Sequence, residues 1–226
     1  MSSSAEGRYE RQSGILSPEL LKRQKVLVIG VGAIGRQVAT QLAVIGVGSL
    51  TLVDPDVVEV VNLGAQGFLE SDVGRPKVEA VAEFISRLNS EIKVKAVQRR
   101  FKKAVDRGYS AVFMCVDSIE TRRFIFQSLV PRPPFIIDGR MSSETMRILA
   151  VTDDASAEHY TSSLFSADEA FRGACTVRTT FYCAMVVSGL MVAAYSRALR
   201  RIDVDRDVTL DLLSGVMAYN ELAATT

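Results

Sequence analysis

The sequence predicts an α/β fold: a Rossmann-like, mostly parallel sheet flanked by helices, with antiparallel strands added in its C-terminal part. Three observations carry that prediction. Short apolar runs that end at glycine or aspartate recur from Lys25 onward, and stretches of helical composition separate them. The first two runs are joined through the glycine-rich turn Gly30-Val-Gly32-Ala-Ile-Gly35. A short continuous apolar run between turn signals is a strand buried on both faces, and parallel strands need a crossover between them.

Lys25 to Gly30 is the first strand, residues 36–45 the first helix and Ser49 to Asp54 the second strand, so residues 25–54 form a βαβ unit. Gly74 to Leu88 sets Val78, Val81, Ala82, Ile85 and Leu88 at helical spacing, and Ile92 to Val97 alternates as a strand does. Ala111 to Val116 is another buried strand, Ser118 to Leu129 a helix, and Pro134 to Asp138 a strand that starts where proline is tolerated. Beyond residue 140 the pattern changes. Glu144 to Thr152 reads as a lone extended segment, and the polar stretch from Asp153 predicts a crossover loop over residues 153–175. A helix from Thr179 to Arg200 and a strand or hairpin over Val208 to Tyr219 complete a single domain, residues 1–226, with a flexible tail over residues 1–7.

The 226 residues carry 27 Lys and Arg against 26 Asp and Glu, a net charge of +1, and 48% of them are hydrophobic. This profile excludes a disordered chain and gives no global attraction to nucleic acid or an anionic membrane. Arg99-Arg100-Phe101-Lys102-Lys103 sets one aromatic among charges and reads as a solvated face. The apolar run Phe181 to Tyr195 is shorter than the roughly 20 residues of a bilayer span, and predicts a buried helix or one packed on a second subunit. Three cysteines without a CxxC pair and a single histidine, His159, read as an exposed loop residue, predict no zinc site. That cysteine usage, without a secretory leader, predicts a cytoplasmic protein.

Gly30, Gly32 and Gly35 match GxGxxG between a strand and a helix, where the missing side chains let backbone N–H groups approach phosphates. Asp54 ends the second strand, where a carboxylate accepts hydrogen bonds from ribose hydroxyls. These features predict a bound nucleotide but do not separate NAD from ATP, so an NAD-dependent oxidoreductase stays open on them alone.

Further motifs follow in order: Asp54-Pro-Asp-Val-Val-Glu-Val-Val-Asn62-Leu63, Gly74-Arg-Pro-Lys77-Val-Glu, and Cys115-Val-Asp117-Ser-Ile-Glu-Thr-Arg122, with Arg8-Tyr-Glu-Arg11-Gln12 before them. Over about residues 8–150 this series resembles the ThiF/MoeB-type adenylyltransferases of the ubiquitin-activating enzyme superfamily. The resemblance weakens toward the C-terminus, where Cys175-Thr-Val-Arg178 before an apolar helix is similar to bacterial ubiquitin-activating-like proteins.

The resemblance implies ATP and Mg2+ as cofactors and adenylation of the C-terminal carboxylate of a small ubiquitin-like or sulfur-carrier protein. Pyrophosphate is released, and a thioester and a conjugating partner can follow. It implies Lys77 on the phosphates, Asp117 on Mg2+, Asn62 and Arg122 at the nucleotide, and Arg11 reaching the site of a partner in a homodimer. Carboxylate attack on a phosphate opposes like charges, so cations and fixed donors suit the chemistry. Of the cysteines, Cys115 falls in a buried strand and Cys183 in the apolar helix, whereas Cys175 precedes that helix with Arg172 and Arg178 close by, which makes it the candidate nucleophile. One departure stands out. The family reads Asn-Leu-x-Arg-Gln where this chain has Asn62-Leu63-Gly64-Ala65-Gln66, so the phosphate-facing arginine is replaced by Ala65, with Arg75 and Arg140 as candidate substitutes. A catalytically impaired nucleotide-binding scaffold is the alternative that Ala65 raises.

Overall fold

A computed structural model describes residues 7–102, 108–164 and 180–220. Strand β1 (Lys25–Ile29) feeds helix α2 (Ala33–Ile45) and strand β2 (Ser49–Val53); the short helix α1 (Pro18–Lys22) precedes them, capped by the Ser17 hydroxyl accepting from the Leu20 N–H. Helices α3 (Val60–Gln66) and α4 (Lys77–Leu88) lead to β3 (Lys93–Val97), and β4 (Ala111–Met114) leads through α5 (Ile119–Ser128) to β5 (Ile136–Ser142). The chain continues as β6 (Thr145–Val151), α6 (Asp154–Ser162), α7 (Phe181–Leu199), β7 (Asp207–Asp211) and β8 (Val216–Tyr219).

The strands make one sheet in the order β3-β2-β1-β4-β5-β6-β7-β8. The first five pair in parallel and the last three antiparallel, so the sheet is mostly Rossmann-like with an antiparallel extension. The extended segment from Glu144 is not alone: β6 pairs with β5 on one side and β7 on the other. Alternate residues face opposite sides of the sheet. Val26, Val28, Leu50, Leu52 and Phe113 pack with α2, α4 and α7, while Leu27, Ile29, Val112, Met114 and Ile136 pack with α5 and α6. Burial on both faces is what the continuous apolar strands require.

Helix α7 is long and apolar enough by length and composition to cross a membrane. Its Cys183, Ala184, Val187, Met191 and Tyr195 are buried in the core instead. Close approach depends on Gly139 of β5, where a Cβ would stand 2.4 Å from the Met191 sulfur.

One segment was not assigned from the sequence and another departs from the expectation. Residues 60–66 form α3, whose short turn carries no buried apolar stripe to mark it. The expected loop from Asp153 opens with α6, residues 154–162; residues 165–175 of that segment lie outside the described residues. Helix α6 has a weak apolar periodicity but a strong cap: the Asp153 carboxylate accepts from the Ser156 N–H at 2.7 Å, and the Ser156 hydroxyl accepts from the Asp153 N–H at 3.0 Å.

Candidate functional site at the carboxyl edge of the sheet

The chain leaves β1 toward β2 and β3, then returns to place β4 on the other side of β1. Strand order reverses between β1 and β4, and in open α/β sheets such a switch point makes the ligand crevice, beyond the strands' carboxyl ends. The turn after β1 lines one side of it and the turn after β4 the other.

Gly30 takes φ +84°, and a Cβ there would meet the Cys115 carbonyl oxygen at 2.6 Å, so the turn admits only glycine. At Gly35 a Cβ would stand 1.8 Å from the Gly30 carbonyl oxygen, which lets α2 start directly above the turn. Gly32 differs: its nearest neighbours are Gln66 side-chain atoms, from 3.7 Å. Gly32 is also the N-cap of α2, with no side-chain cap and no acidic residue in the first turn. The first N–H groups of a helix have no intrahelical partner and carry partial positive charge, so this end suits a phosphate. The Gln66 Oε1 beside it is buried without a hydrogen-bond partner. Rotating that amide presents its NH2 to an anion at Gly32, so these residues fit a nucleotide phosphate.

Asp54 braces the turn. Its Oδ2 accepts from the Val31 N–H at 2.6 Å and its Oδ1 from the Asp56 N–H at 2.8 Å. Burial raises its pKa and those two N–H groups oppose the rise. The carboxylate expected at the ribose is therefore committed first to the shape of the turn. Residues 56–58 then pair back on 74–77, through Val58 N–H to the Arg75 carbonyl at 2.8 Å and Lys77 N–H to the Asp56 carbonyl at 3.0 Å. That short ladder brings Lys77, the first residue of α4, to the crevice with its ammonium 3.2 Å from Asp56 Oδ2. The lysine side chain is 8% exposed and that of Asp56 is 62% exposed. One of three ammonium donors is thus accounted for by a solvent-facing carboxylate. Asn62 closes a capping box at α3: its Oδ1 accepts from the Glu59 N–H at 2.9 Å.

Across the crevice, Asp117 is exposed and its carboxylate makes no hydrogen bond or ion pair among the described residues. The helix cap is its neighbour, the Ser118 hydroxyl, which accepts from the Thr121 N–H at 3.2 Å. No group of three or more His, Cys, Asp or Glu stands together among the described residues. A single free carboxylate beside a phosphate site still fits Mg2+, which keeps waters and takes phosphate oxygens as its other ligands.

Arg122, expected at the nucleotide, is instead buried in the wall. Its Nε donates to Asp138 Oδ1 at 2.8 Å, one terminal nitrogen to the Asp117 carbonyl at 3.1 Å and the other to the Gly139 carbonyl at 3.1 Å. Its link to the site is the hydrogen bond to the Asp117 carbonyl. Asp138 is fully buried and also accepts from Arg140 Nε at 2.8 Å and the Tyr160 hydroxyl at 3.1 Å. Asp56, Gln66 and this Asp138 cluster were not singled out from the sequence; the only local signal was an acid at the end of each of two strands.

Arg11 stands elsewhere. Gln12 donates to the Ile45 carbonyl at 2.6 Å and the Tyr9 hydroxyl accepts from Asn89 at 2.7 Å, which fixes residues 9–12 at the amino end of the strands. The 13-residue helix α2, about 20 Å long, separates that end from Gly30. Within one chain Arg11 is outside the site. Arg75 is paired with Asp72 and Glu83, and Arg140 with Asp138 and the Ser163 hydroxyl and carbonyl, so both candidate substitutes for the arginine missing at Ala65 are already engaged. His159 is a helix residue and not a loop one, 2.7 Å from Asp207. Cys115 is held protonated, its pKa pushed up by burial and by the Asp138 carboxylate. Cys183 is buried in α7, and Cys175 lies outside the described residues.

A strand-glycine turn-helix unit with a lysine and an aspartate across a switch-point crevice defines a nucleotide-fold protein, and its family follows from comparison. The ThiF family model matches residues 10–221, and the chain belongs to the ThiF family. It is 39% identical over 135 residues to "Adenylyltransferase and sulfurtransferase MOCS3" of Mus musculus, covering 54% of this chain and 29% of the relative. It is 40% identical over 110 residues to "Molybdopterin-synthase adenylyltransferase" of Salmonella typhimurium, covering 46% and 44%. The chain spans less than half the length of these curated relatives. Among solved structures, PaaA superposes with a TM-score of 0.76 at 19% identity, covering 98% of this chain and 74% of that one. E. coli MccB crystallised with ATP superposes with a TM-score of 0.73 at 19% identity, covering 95% and 71%, a likeness of fold.

Proposed function

We propose that this chain adenylates the C-terminal carboxylate of a small ubiquitin-like or sulfur-carrier protein with ATP. An acceptor carboxylate oxygen bonds to the α-phosphorus, the bond from that phosphorus to the bridging oxygen breaks, and pyrophosphate leaves. The observation that carries the reading is Lys77: a lysine side chain 8% exposed at the crevice, whose one ion-pair partner among the described residues is a solvent-facing Asp56. A buried ammonium calls for a counter-anion, and a phosphate at the α2 N-terminus meets that need. Family membership and the named adenylyltransferase relatives support the same chemistry.

Asp117 would hold magnesium, which when bound neutralises phosphate charge. Gly32 and the α2 N–H groups orient the phosphates, Asp54 holds the turn, and Asn62, whose Oδ1 caps α3, offers its NH2 to the nucleotide. Arg11, exposed at the opposite edge, contributes only through a homodimer that carries it to a partner's site. Thioester formation on Cys175 and hand-over to a conjugating partner belong to the proposal as well. Cys115 and Cys183 are free thiols, which supports a reducing cytoplasm.

A second reading is favoured by one observation. With Ala65 at the arginine position and both Arg75 and Arg140 engaged in ion pairs, the site is short of a cation for the transition state. This describes a nucleotide-binding scaffold. Carrier-dependent exchange of radiolabelled pyrophosphate into ATP separates the two: exchange that rises on Ala65→Arg marks a weakened enzyme. ATP binding without exchange in either protein marks the scaffold, and preference for NAD over ATP in the same titration removes both.

A further inference from the structure

The opposite edge of the sheet holds a cleft unrelated to the crevice. It has a volume of about 340 Å³ and is bordered by Lys22, Arg23, Lys25 and Lys93, with Glu91 as its one acid. The whole chain has a net charge of only +1, so these four cations, with Glu91 in the lining and Glu19 near Lys22 and Arg23, are a local excess of positive charge. None of the four ammonium or guanidinium groups has an ion-pair or hydrogen-bond partner among the described residues.

The register explains how they converge. Lys25, Ser49 and Lys93 are the first residues of β1, β2 and β3, and they are direct neighbours in the pairing Lys25↔Ser49↔Lys93. In-register residues of parallel strands project to the same side of the sheet, and strands lie about 4.8 Å apart, so two lysines flank a serine hydroxyl across about 10 Å. Lys22 and Arg23, at the end of α1, close the third side. Gly46 and Gly48 form part of the lining, packed against the Tyr9 ring and the Lys22 backbone. Like charges gathered on one concave surface repel unless an anion lies among them.

We propose that this cleft binds a small oligophosphate anion. Its volume is at the lower end of small-ligand sites. The span between Lys25 and Lys93 suits two or more linked phosphates better than a single carboxylate, and spaced point charges with a hydroxyl suit phosphate oxygens. The site is separate from Lys77, which lies at the other end of the strands.

Inorganic tripolyphosphate is the probe, titrated calorimetrically into the whole chain at low salt. Two variants divide the sites: Lys77→Gln in the crevice, and the double variant Lys25→Gln, Lys93→Gln in the cleft. Since both cleft lysines are exposed, the double variant keeps its circular dichroism and melting temperature. Tripolyphosphate binding that persists in Lys77→Gln, falls about tenfold or more when Lys25→Gln and Lys93→Gln are added to Lys77→Gln, and weakens with added salt is the expected result. ATP binding in the double variant stays at the level of the unaltered chain. Equal tripolyphosphate affinity in Lys77→Gln with and without the two cleft substitutions overturns the proposal, as does loss of all binding in Lys77→Gln. Tighter binding of an oligoglutamate peptide than of tripolyphosphate also overturns it, and marks the surface as a dock for an acidic protein segment.

Discussion

Arg122 and Asp138 meet at 2.8 Å with both side chains buried, and the pair holds the floor of the crevice from beneath. Arg140 shares the same carboxylate and reaches on to Ser163, at the end of α6. Asp117 and the start of the segment toward Cys175 are thereby tied to one acid.

Asp138→Ala leaves two cations without their counter-charge in the interior. Breaking a buried pair in this way costs about 3–5 kcal/mol, because the remaining charge has no water to solvate it. Urea unfolding of the variant should show a midpoint shifted down accordingly; an unchanged midpoint refutes the role given to Asp138.

The glycines of the turn should separate by mechanism. Gly35→Ala drives a Cβ against the Gly30 carbonyl oxygen at 1.8 Å, so the backbone must move, at a cost of about 1–3 kcal/mol, and ATP affinity falls with stability. Gly32→Ala meets nothing nearer than 3.7 Å, so it loses only the N-cap preference of glycine over alanine, a smaller fall in melting temperature than Gly35→Ala gives, while the methyl group obstructs the phosphate. Thermal melts paired with ATP titrations check both; equal melting temperatures for the two variants contradict the geometry.

Lys77→Gln removes the cation but keeps most of the side-chain volume. Pyrophosphate exchange should drop by about 10²-fold or more, the scale of losing one electrostatic donor to the transition state. A drop in ATP affinity alone, with exchange at saturating ATP intact, assigns Lys77 to ground-state binding instead.

Asp207 sets an acid limit on stability. Although burial pushes its pKa up, hydrogen bonds from Arg147, His159 and Asn220 outweigh that and hold it at about 2, below the ordinary 3.8. A carboxylate with a lowered folded pKa stabilises above its unfolded value and loses that contribution as pH falls toward 2. The contribution is about 2 kcal/mol at most. Denaturation between pH 5 and pH 2 should show a decline that is shallower in Asp207→Asn, a variant already weaker at neutral pH.

The β/α alternation, the glycine turn and the order of the site motifs were legible because each is a local pattern: strand burial, crossover length and backbone sterics act within about thirty residues. Asp117 could be placed at a strand end, and Lys77 at the start of a helix, for the same reason. Helix α6 was hidden because its apolar periodicity is weak, although Asp153 and Ser156 spell out its cap.

Tertiary structure alone decided the rest. Asp138 became the acid shared by Arg122 and Arg140 because β5 lies between β4 and β6, and α6 packs on β6 beside it; no spacing announces a partner that arrives from another strand. Arg11 fell at the far edge of the sheet, and Lys25 and Lys93 came together, through strand order and register. Those are properties of pairing between distant segments, whereas the sequence determines directly only what a residue does with its near neighbours.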